Sequence, residues 1–401
     1  MDPHAQDHRV IGQRLDLFHQ QDESPGAVFW HPRGLVLFRI VEDYIRRRMR
    51  AAGFREIRTP QMLARRLWET SGHWDKYRDN MFTLTQGGDG EDRVYALKPM
   101  SCPGHVEIYR ARLWSYRDLP SRFAEFGAVH RNEASGALSG LMRLRAFTQD
   151  DAHIFCRPDQ VIEEVAKFAK LQSSIYSDFG FDRVVIGFST RPAVRAGSDE
   201  VWDRAEAALA AAVQAAGLVC RPQPGDGAFY GPKLDFTLTD NRGREWQCGT
   251  IQCDLVLPER FDISYIGAQS QRERPIMLHH AVLGSLERFI AVLLEHHGAH
   301  LPLWLAPEQM VVANIVGAVG DYARRCADEL EAEGFRVITD LRDERIARKA
   351  ADARNSGIPV FIAVGKTEQD SGTVSVRYGD GRPQAMAVSA VVDQFKNAAF
   401  R

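Results

Sequence analysis

Three groupings of residues in this sequence could do chemistry. The first runs through FAEFGAVHRNEASGALSGLMRLRAFTQDDAHIF, residues 123–155, where two strand-like runs flank a loop rich in Gly and Ser. Arg131 and Glu133 sit on one arm, Arg143 and Phe147 on the other. Guanidinium forks suit phosphate oxygens, an aromatic face suits a base, and a carboxylate suits an exocyclic amine, so such a hairpin could hold a nucleotide. The same charges also fit a solvated hairpin face. The second grouping is GSLERF, residues 284–289, which opens an apolar helix. Small residues just before a helix let an anion approach its N-terminus, and Arg288 could complete a phosphate site. The third is Cys102, His153 and His279, a Cys-His-His set that would leave a zinc position open for catalysis. Its spacing is wide, His105 and His280 are rival ligands one short step away, and each of these residues also fits a buried packing role.

The elements that must position these groups follow from periodicity. Apolar residues at helical spacing with arginines opposite predict a helix over 38–52, closed by Gly53, and then a short strand in FREIRTP ending at Pro60. From Arg93 onward strand-like runs recur (VYALKP, FAEFGAVH, RAFTQDDAHIF), which predicts a mainly antiparallel sheet. Helices over 159–178 and over 199–216, the latter capped by Ser198, separate these runs from VVIGFST and from KLDFTLTD and REWQCGTIQCDL, which are joined by a turn at 240–243. Around 302–307 the character changes to alternating strands and helices, predicting a small, mostly parallel α/β domain with helices on both faces. The expected domains are 1–303 and 304–401. Arg342, Arg345, Arg348 and Lys349 form a local basic cluster in the second, although that domain carries 13 Lys+Arg against 14 Asp+Glu.

Composition sets limits on function. With 401 residues, 44% of them hydrophobic, the chain can bury large cores. No apolar run reaches membrane-spanning length and the start Met1-Asp2-Pro3-His4 lacks a signal-peptide layout, so a soluble, cytoplasmic protein is expected. Six cysteines without a C-x-x-C pair exclude a disulfide scaffold, and any metal site must be assembled from distant residues. A formal charge of −2 gives no global attraction to nucleic acid, so a polyanion would be held by local patches.

KPMSCPGH, AEFGAVHRNE, RAFTQDDAHIF, GAFYGPK, QCGTIQ and GSLERF, in this order, together with DHRVIGQRLDLF near the start, closely resemble threonyl-tRNA synthetase over nearly the whole chain. The resemblance implies an α+β class II synthetase catalytic domain, an antiparallel sheet flanked by helices, followed by a small α/β anticodon-binding domain. It implies one Zn²⁺ per subunit on Cys102, His153 and His279, taking the amino and hydroxyl groups of threonine directly. A pocket that recognises shape alone rejects the isostere valine by only about a hundredfold, whereas a hydroxyl-ligating metal does far better. By the same resemblance Gln149 and Asp151 orient those groups, and Met100, Tyr230, Gln252 and Ser285 complete the pocket, although Tyr230 also fits an ordinary core aromatic. Arg131 is implied at the α-phosphate of ATP, Arg143 and Arg288 at the outer phosphates, Glu133 and Phe147 at adenine, and Gln247 and Thr250 near the ribose, with Mg²⁺ accompanying ATP. His73, in SGHWDKY, matches a histidine that assists deprotonation of the tRNA hydroxyl; beside Trp74 it also fits a packing role. The helix and strand ending at Pro60 resemble the class's first motif, which implies a homodimer.

The expected activity is threonine-tRNA ligation: L-threonine and ATP give threonyl-adenylate, and threonine passes to the 3′ end of tRNA-Thr. The family's N-terminal modules, including the domain that hydrolyses seryl-tRNA, have no counterpart in this sequence, so no editing in cis is expected. Ala146 stands where a glycine is usual, and GGDGED, residues 87–92, lengthens a turn. In the C-terminal domain Asp343, Glu368 and Arg377 match anticodon contacts, with Asp343 replacing an asparagine in LRDERIA. That acidic substitution favours an alternative, a paralogue that makes threonyl-adenylate but delivers threonine to a non-tRNA acceptor. A catalytically dead tRNA-binding regulator is disfavoured, since every charged or metal-binding residue of the expected site is present.

Overall fold

The computed structural model describes residues 6–87, 93–240 and 242–401. The expectations at residues 1–4, in the lengthened turn at 88–92 and at Asn241 lie outside them. Two compact units make up the chain: one comprises the stretch up to Gln21, Val28–Tyr44 and Leu293–Arg401, the other Asp22–Ala27 and Ile45–Val292. The sequence boundary at 303/304 thus falls inside the first unit, which also gathers N-terminal segments. Arg33 shows why: it pairs with Glu308 at 2.7 Å and donates to the Ser356 carbonyl at 2.7 Å.

The second unit is built on an eight-stranded sheet. Its strands are β1 (Arg55–Glu56), β2 (Ser121–His130), β3 (Ala146–Cys156), β4 (Val184–Ser189), β5 (Cys220–Gln223), β6 (Lys233–Thr239), β7 (Glu245–Asp254) and β8 (Ile276–Ser285), in the order β5-β4-β6-β7-β8-β3-β2-β1. Only the two edge pairings, β4 with β5 and β1 with β2, are parallel. The predicted antiparallel sheet is therefore present. VYALKP lies outside it, because Arg93–Leu97 pairs with Met62–Ala64 and Thr83–Gln86 in a separate three-stranded sheet. The strand expected up to Pro60 shortens to Arg55–Glu56, as Thr59 turns its N–H and hydroxyl onto Glu125 at 2.9 and 2.8 Å.

Helices cover this sheet. α1 (Pro32–Ala51) begins six residues before the predicted start, at a proline whose missing N–H costs nothing in a first turn, and Gly53 follows it at φ +84°. α2 (Cys102–Arg110) follows the Arg93–Leu97 strand. α3 (Val161–Asp178) packs Phe168 against Phe236 of β6 and His280 of β8. α4 (Asp199–Ala215) is capped, as its sequence predicts, by the Ser198 hydroxyl accepting from the Val201 N–H. α5 (Leu286–His297) grows directly from the end of β8.

In the first unit, β9 (Met310–Asn314), β10 (Val337–Asp340), β11 (Val360–Val364), β12 (Val374–Tyr378) and β13 (Gln384–Met386) form a sheet in the order β10-β9-β11-β12-β13. Separate apolar clusters occupy its two faces, one containing Val312 and Ile362, the other Val311 and Phe361. It is half parallel rather than mostly so: β9 pairs in parallel with β10 and β11, while β11–β12 and β12–β13 are antiparallel. The link from β11 to β12 holds only the short helix Lys366–Ser371, too little chain for a crossover, so the strand returns antiparallel. No helix among the described residues is long and apolar enough to cross a membrane.

Candidate active site

Strand register gathers the site on one face of the sheet. Lys233, Gln252, His279 and His153 lie opposite one another across β6, β7, β8 and β3, and Thr250, Ala281 and Asp151 form the next row. Because strand side chains alternate, residues two apart share this face and their neighbours point away. His280 is such a neighbour. Its ring packs against Phe54 and Phe168, and neither ring nitrogen has a hydrogen-bond partner.

Cys102 starts α2 beside β3, and the Asp151 carboxylate accepts the Ser101 N–H at 3.1 Å to hold that turn in place. Cys102, His153 and His279 thereby come together, buried, with one ligand atom from each lying within 4.8 Å of the others. His153 Nε2 faces His279 Nδ1 at 3.0 Å. His105, the first rival ligand, stands behind His153 at 2.8 Å between Nδ1 atoms, and its Nε2 meets Glu125 at 3.2 Å. Burial, followed by the nearby Asp151 and Asp254 carboxylates, pushes the Cys102 thiol well above its ordinary range. A thiolate there needs a countercharge, which a bound cation supplies. One thiolate and two imidazoles, with positions left over, make a donor set that fits zinc.

Around this cluster lies a cavity of about 300 Å³ whose walls include Met100, Gln149, Asp151, Tyr230, Thr250 and Gln252. Tyr230 stacks on His279 with ring centres 4.7 Å apart and donates its hydroxyl to Gln252 Oε1 at 2.5 Å. It is a buried aromatic whose hydroxyl and ring both serve the cavity wall. Burial pushes the Asp151 carboxyl up, and also lowers the His153 imidazole well below its usual value, aided by His105 and His279.

A second cavity, of about 500 Å³, is lined by Glu133, Arg143, Phe147, Gln247, Ser285 and Arg288. Arg131 and Gln149 line both cavities, so the two adjoin at these side chains. Arg131 lies over the Phe147 ring at 5.2 Å, and Arg143 pairs with Glu133 at 3.0 Å. Two buried atoms here have no hydrogen-bond partner, Gln149 Oε1 and Arg288 Nε. Buried polar groups are seldom left so, which marks the junction as a place where a polar ligand would be satisfied. Gly284, at φ +81°, is required at the turn into α5, since a Cβ there would meet the Cys248 carbonyl at 2.7 Å. Thr250 lines the first cavity rather than the second, and Ser285 the second rather than the first.

His73 is fully buried, edge-on to Trp68 and Phe229. Its Nδ1 meets the Ser71 hydroxyl at 2.8 Å and its Nε2 lies 3.7 Å from Cys102 Sγ. Burial lowers its pKa to about 3.

Several functional supports escape sequence reasoning. Asp150 accepts the N–H groups of Val282, Leu283 and Gly284 at 2.8–2.9 Å, fixing the irregular end of β8 that leads into α5. Glu287 accepts the Thr148 N–H at 3.0 Å and the Ser285 hydroxyl at 3.0 Å, binding α5 to β3. Lys233, on the wall of the first cavity, pairs with Asp235 at 2.7 Å. The contacts of Asp150 with 282–284 and of Glu287 with Thr148 join segments more than 130 residues apart, so no local spacing signals them.

The anticodon-contact candidates lie in the other unit. Asp343 is exposed, Glu368 caps its short helix by accepting the Gly365 N–H at 2.8 Å, and Arg377 stands over Phe361 at 5.5 Å. Of the basic cluster, Arg342, Arg345 and Arg348 are exposed and Lys349 is not. Lys349 is buried and donates to the Asn314 side chain and carbonyl and to the Asp340 carbonyl, while Arg342 and Arg348 pair with Asp352.

Comparisons with known proteins agree with this architecture. Residues 82–297 match the tRNA synthetase class II core domain (G, H, P, S and T), and 309–398 match an anticodon binding domain. The chain is 54% identical over 375 residues to a threonine–tRNA ligase of Paraburkholderia phymatum and 54% identical over 378 residues to one of Gluconobacter oxydans, covering 94% of this chain in each case. It spans 58% of the length of either relative. A crystal structure of the RNA binding domain of threonyl-tRNA synthetase from Cryptosporidium parvum superposes with TM-score 0.94 at 40% identity, covering 98% of this chain and 99% of that one. Fold, adjoining cavities and these likenesses together establish that the chain belongs to the threonyl-tRNA synthetase family of class II tRNA synthetases.

Proposed function

We propose that this chain is a threonine-tRNA ligase, activating L-threonine with ATP and transferring it to the 3′ end of tRNA-Thr. The observation that carries the proposal is the pair of adjoining cavities, one floored by Cys102, His153 and His279, the other lined by Arg143, Arg288, Glu133 and Phe147, sharing Arg131 and Gln149.

In this reading threonine occupies the first cavity and ATP the second, with Mg²⁺ on the phosphates. Zn²⁺ on Cys102, His153 and His279 would supply a Lewis-acid seat for the amino and hydroxyl groups of threonine. Asp151 and Gln149 orient those groups, and Tyr230 with Gln252 closes the wall. Arg131 holds the α-phosphate where the cavities meet, so the threonine carboxylate reaches phosphorus in line. An O–P bond forms as the bridging bond to the β-phosphate breaks, and pyrophosphate leaves against Arg143 and Arg288. The barrier falls because these charges are in place before negative charge develops. For transfer, the tRNA hydroxyl attacks the adenylate carbonyl and AMP leaves. His73 accepts the hydroxyl proton in this scheme. Its neutral ring keeps a lone pair on Nε2, but that atom faces Cys102, so the role requires a movement that uncovers the ring.

The first-motif likeness of α1 and β1 supports a homodimer, and the substrates suit the cytoplasm. Asp343, exposed where RNA would approach, favours a second reading in which threonine goes to a non-tRNA acceptor. Threonine-dependent ATP–pyrophosphate exchange followed by charging of a tRNA-Thr transcript separates the two: exchange with charging supports the ligase, exchange without it supports the second reading, and no exchange rejects both.

A further inference from the structure

The geometry points to two outer arms, Asp254 behind His279 and the chain His105–Glu125–Lys98 behind His153, as positioning residues that set which ring nitrogens face Cys102 and how tightly the cluster holds a cation. This rests on the metal reading above.

Glu125 receives the Thr59 N–H at 2.9 Å and Lys98 Nζ at 2.8 Å on one oxygen, and the Thr59 hydroxyl at 2.8 Å on the other. Lys98 also donates to the Thr59 hydroxyl oxygen at 2.9 Å, so that hydroxyl's proton is directed to Glu125. With the Lys98 ammonium, the Thr59 N–H and the Thr59 hydroxyl all donating to it, Glu125 stands as a carboxylate whatever His105 does. A carboxylate only accepts, so a neutral His105 ring carries its proton on Nε2, 3.2 Å away, and its lone pair on Nδ1. His153 Nδ1, 2.8 Å from that lone pair, is then the donor, which leaves the lone pair of His153 on Nε2.

The second arm gives the complementary result. Asp254 Oδ1 accepts the N–H groups of Val256 and Leu257 at 2.7 and 2.9 Å, and Oδ2 lies 2.8 Å from His279 Nε2. His279 donates there and keeps its lone pair on Nδ1. The two lone pairs therefore face each other at 3.0 Å beside Cys102, an arrangement that repels unless a cation draws both. Each arm is buried, and each reaches a different histidine from a different part of the chain. Outer partners of this kind fix tautomer and ring orientation, and losing one costs about 10–100-fold in metal affinity.

The test uses the full chain, with Zn²⁺ and Co²⁺ as probes in chelator competition, the Co²⁺ ligand-field spectrum as a signature, and ¹⁵N-histidine NMR of metal-free protein to read tautomers. His105→Leu and Asp254→Asn are expected to weaken both metals about 10–100-fold and to shift the Co²⁺ bands. His105→Asn, whose amide oxygen can stand near the Nδ1 position, should recover most of the affinity. NMR should show His153 protonated on Nδ1 and His279 on Nε2. Wild-type affinity and spectrum in both His105→Leu and Asp254→Asn overturn the inference while leaving the metal reading intact. If those variants fail to fold, the wild-type tautomers decide, and a proton on His153 Nε2 or His279 Nδ1 overturns it. Wild-type protein that takes up no Co²⁺ overturns the metal reading and this inference together.

Discussion

The two cavities that meet at Arg131 and Gln149 are built in opposite ways. Around the Cys102, His153 and His279 cluster the buried supports His105, Glu125, Lys98, Asp151 and Asp254 are tied to ring, backbone or side-chain partners, so the fold has placed them before any substrate arrives. Across the junction Arg143 is 58% exposed and occupied with Glu133, while Arg288 Nε and Gln149 Oε1 are left without partners. The first region has paid its ordering cost in folding. The second keeps hydrogen-bonding groups unsatisfied, which the phosphates and base of the proposed nucleotide would complete. On the proposed ligase reading, rigidity sits where two similar amino acids would be told apart, and adaptability where a charged nucleotide would be gripped.

Substitutions can break or sharpen this contrast. The largest effect is expected from Cys102→Ala, which should abolish stoichiometric zinc and lower threonine activation by at least about a thousandfold, read as metal content and pyrophosphate exchange. Retained zinc with full exchange would defeat the assignment of Cys102 as a ligand. Arg131→Ala, at the junction, should lower exchange by about 10²–10³-fold while leaving zinc content unchanged, since Arg131 supplies none of the three ligand atoms of the cluster. Arg143→Ala should raise the KM for ATP by roughly tenfold yet barely move Tm, because an exposed ion pair contributes at most about 1 kcal/mol to stability. An equally large loss of stability would place Arg143 in the fold rather than in the adaptable site.

Serine tests the discriminating side. It keeps the hydroxyl that the metal would ligate and lacks only a methyl, a difference worth roughly 10–200-fold. This chain should therefore form seryl-tRNA, and rejection better than about a thousandfold in aminoacylation would contradict the hydroxyl-ligating pocket. The smallest effect concerns pH. Glu125 is held at about 2, below its ordinary 4.5, so its contribution to stability is present above about 4.5 and is lost as pH falls toward 2. Glu125→Gln should flatten that part of the stability–pH curve, measured by chemical denaturation; an unchanged slope would remove Glu125 from the ionised set.

Sequence showed the architecture better than it showed the supports. The antiparallel sheet, the Ser198-capped helix and the change of pattern near residue 302 all declare themselves through periodicity, capping and turn residues, which are local. The antiparallel pairing of β11 and β12 did not, because a six-residue helix in the sequence does not announce that the chain fails to cross over. Within the site, spacing left His105 and His280 open as rivals of His153 and His279. The pleat turns His280 onto Phe54 and Phe168, away from the row that holds His279. Long-range pairing sets His105 behind His153, with its Nε2 against Glu125. Asp150, Asp254 and Glu287 stayed hidden for the same reason: their partners lie on other strands or on backbone far along the chain, or, for Asp254, on β8.

The most direct test of the central claim is threonine-dependent ATP–pyrophosphate exchange by the full chain, measured before chelation, after it, and after zinc is restored. The account predicts exchange with threonine and not with valine, lost on chelation and regained with zinc. Exchange indifferent to chelation, or no exchange with zinc-loaded protein, would contradict it.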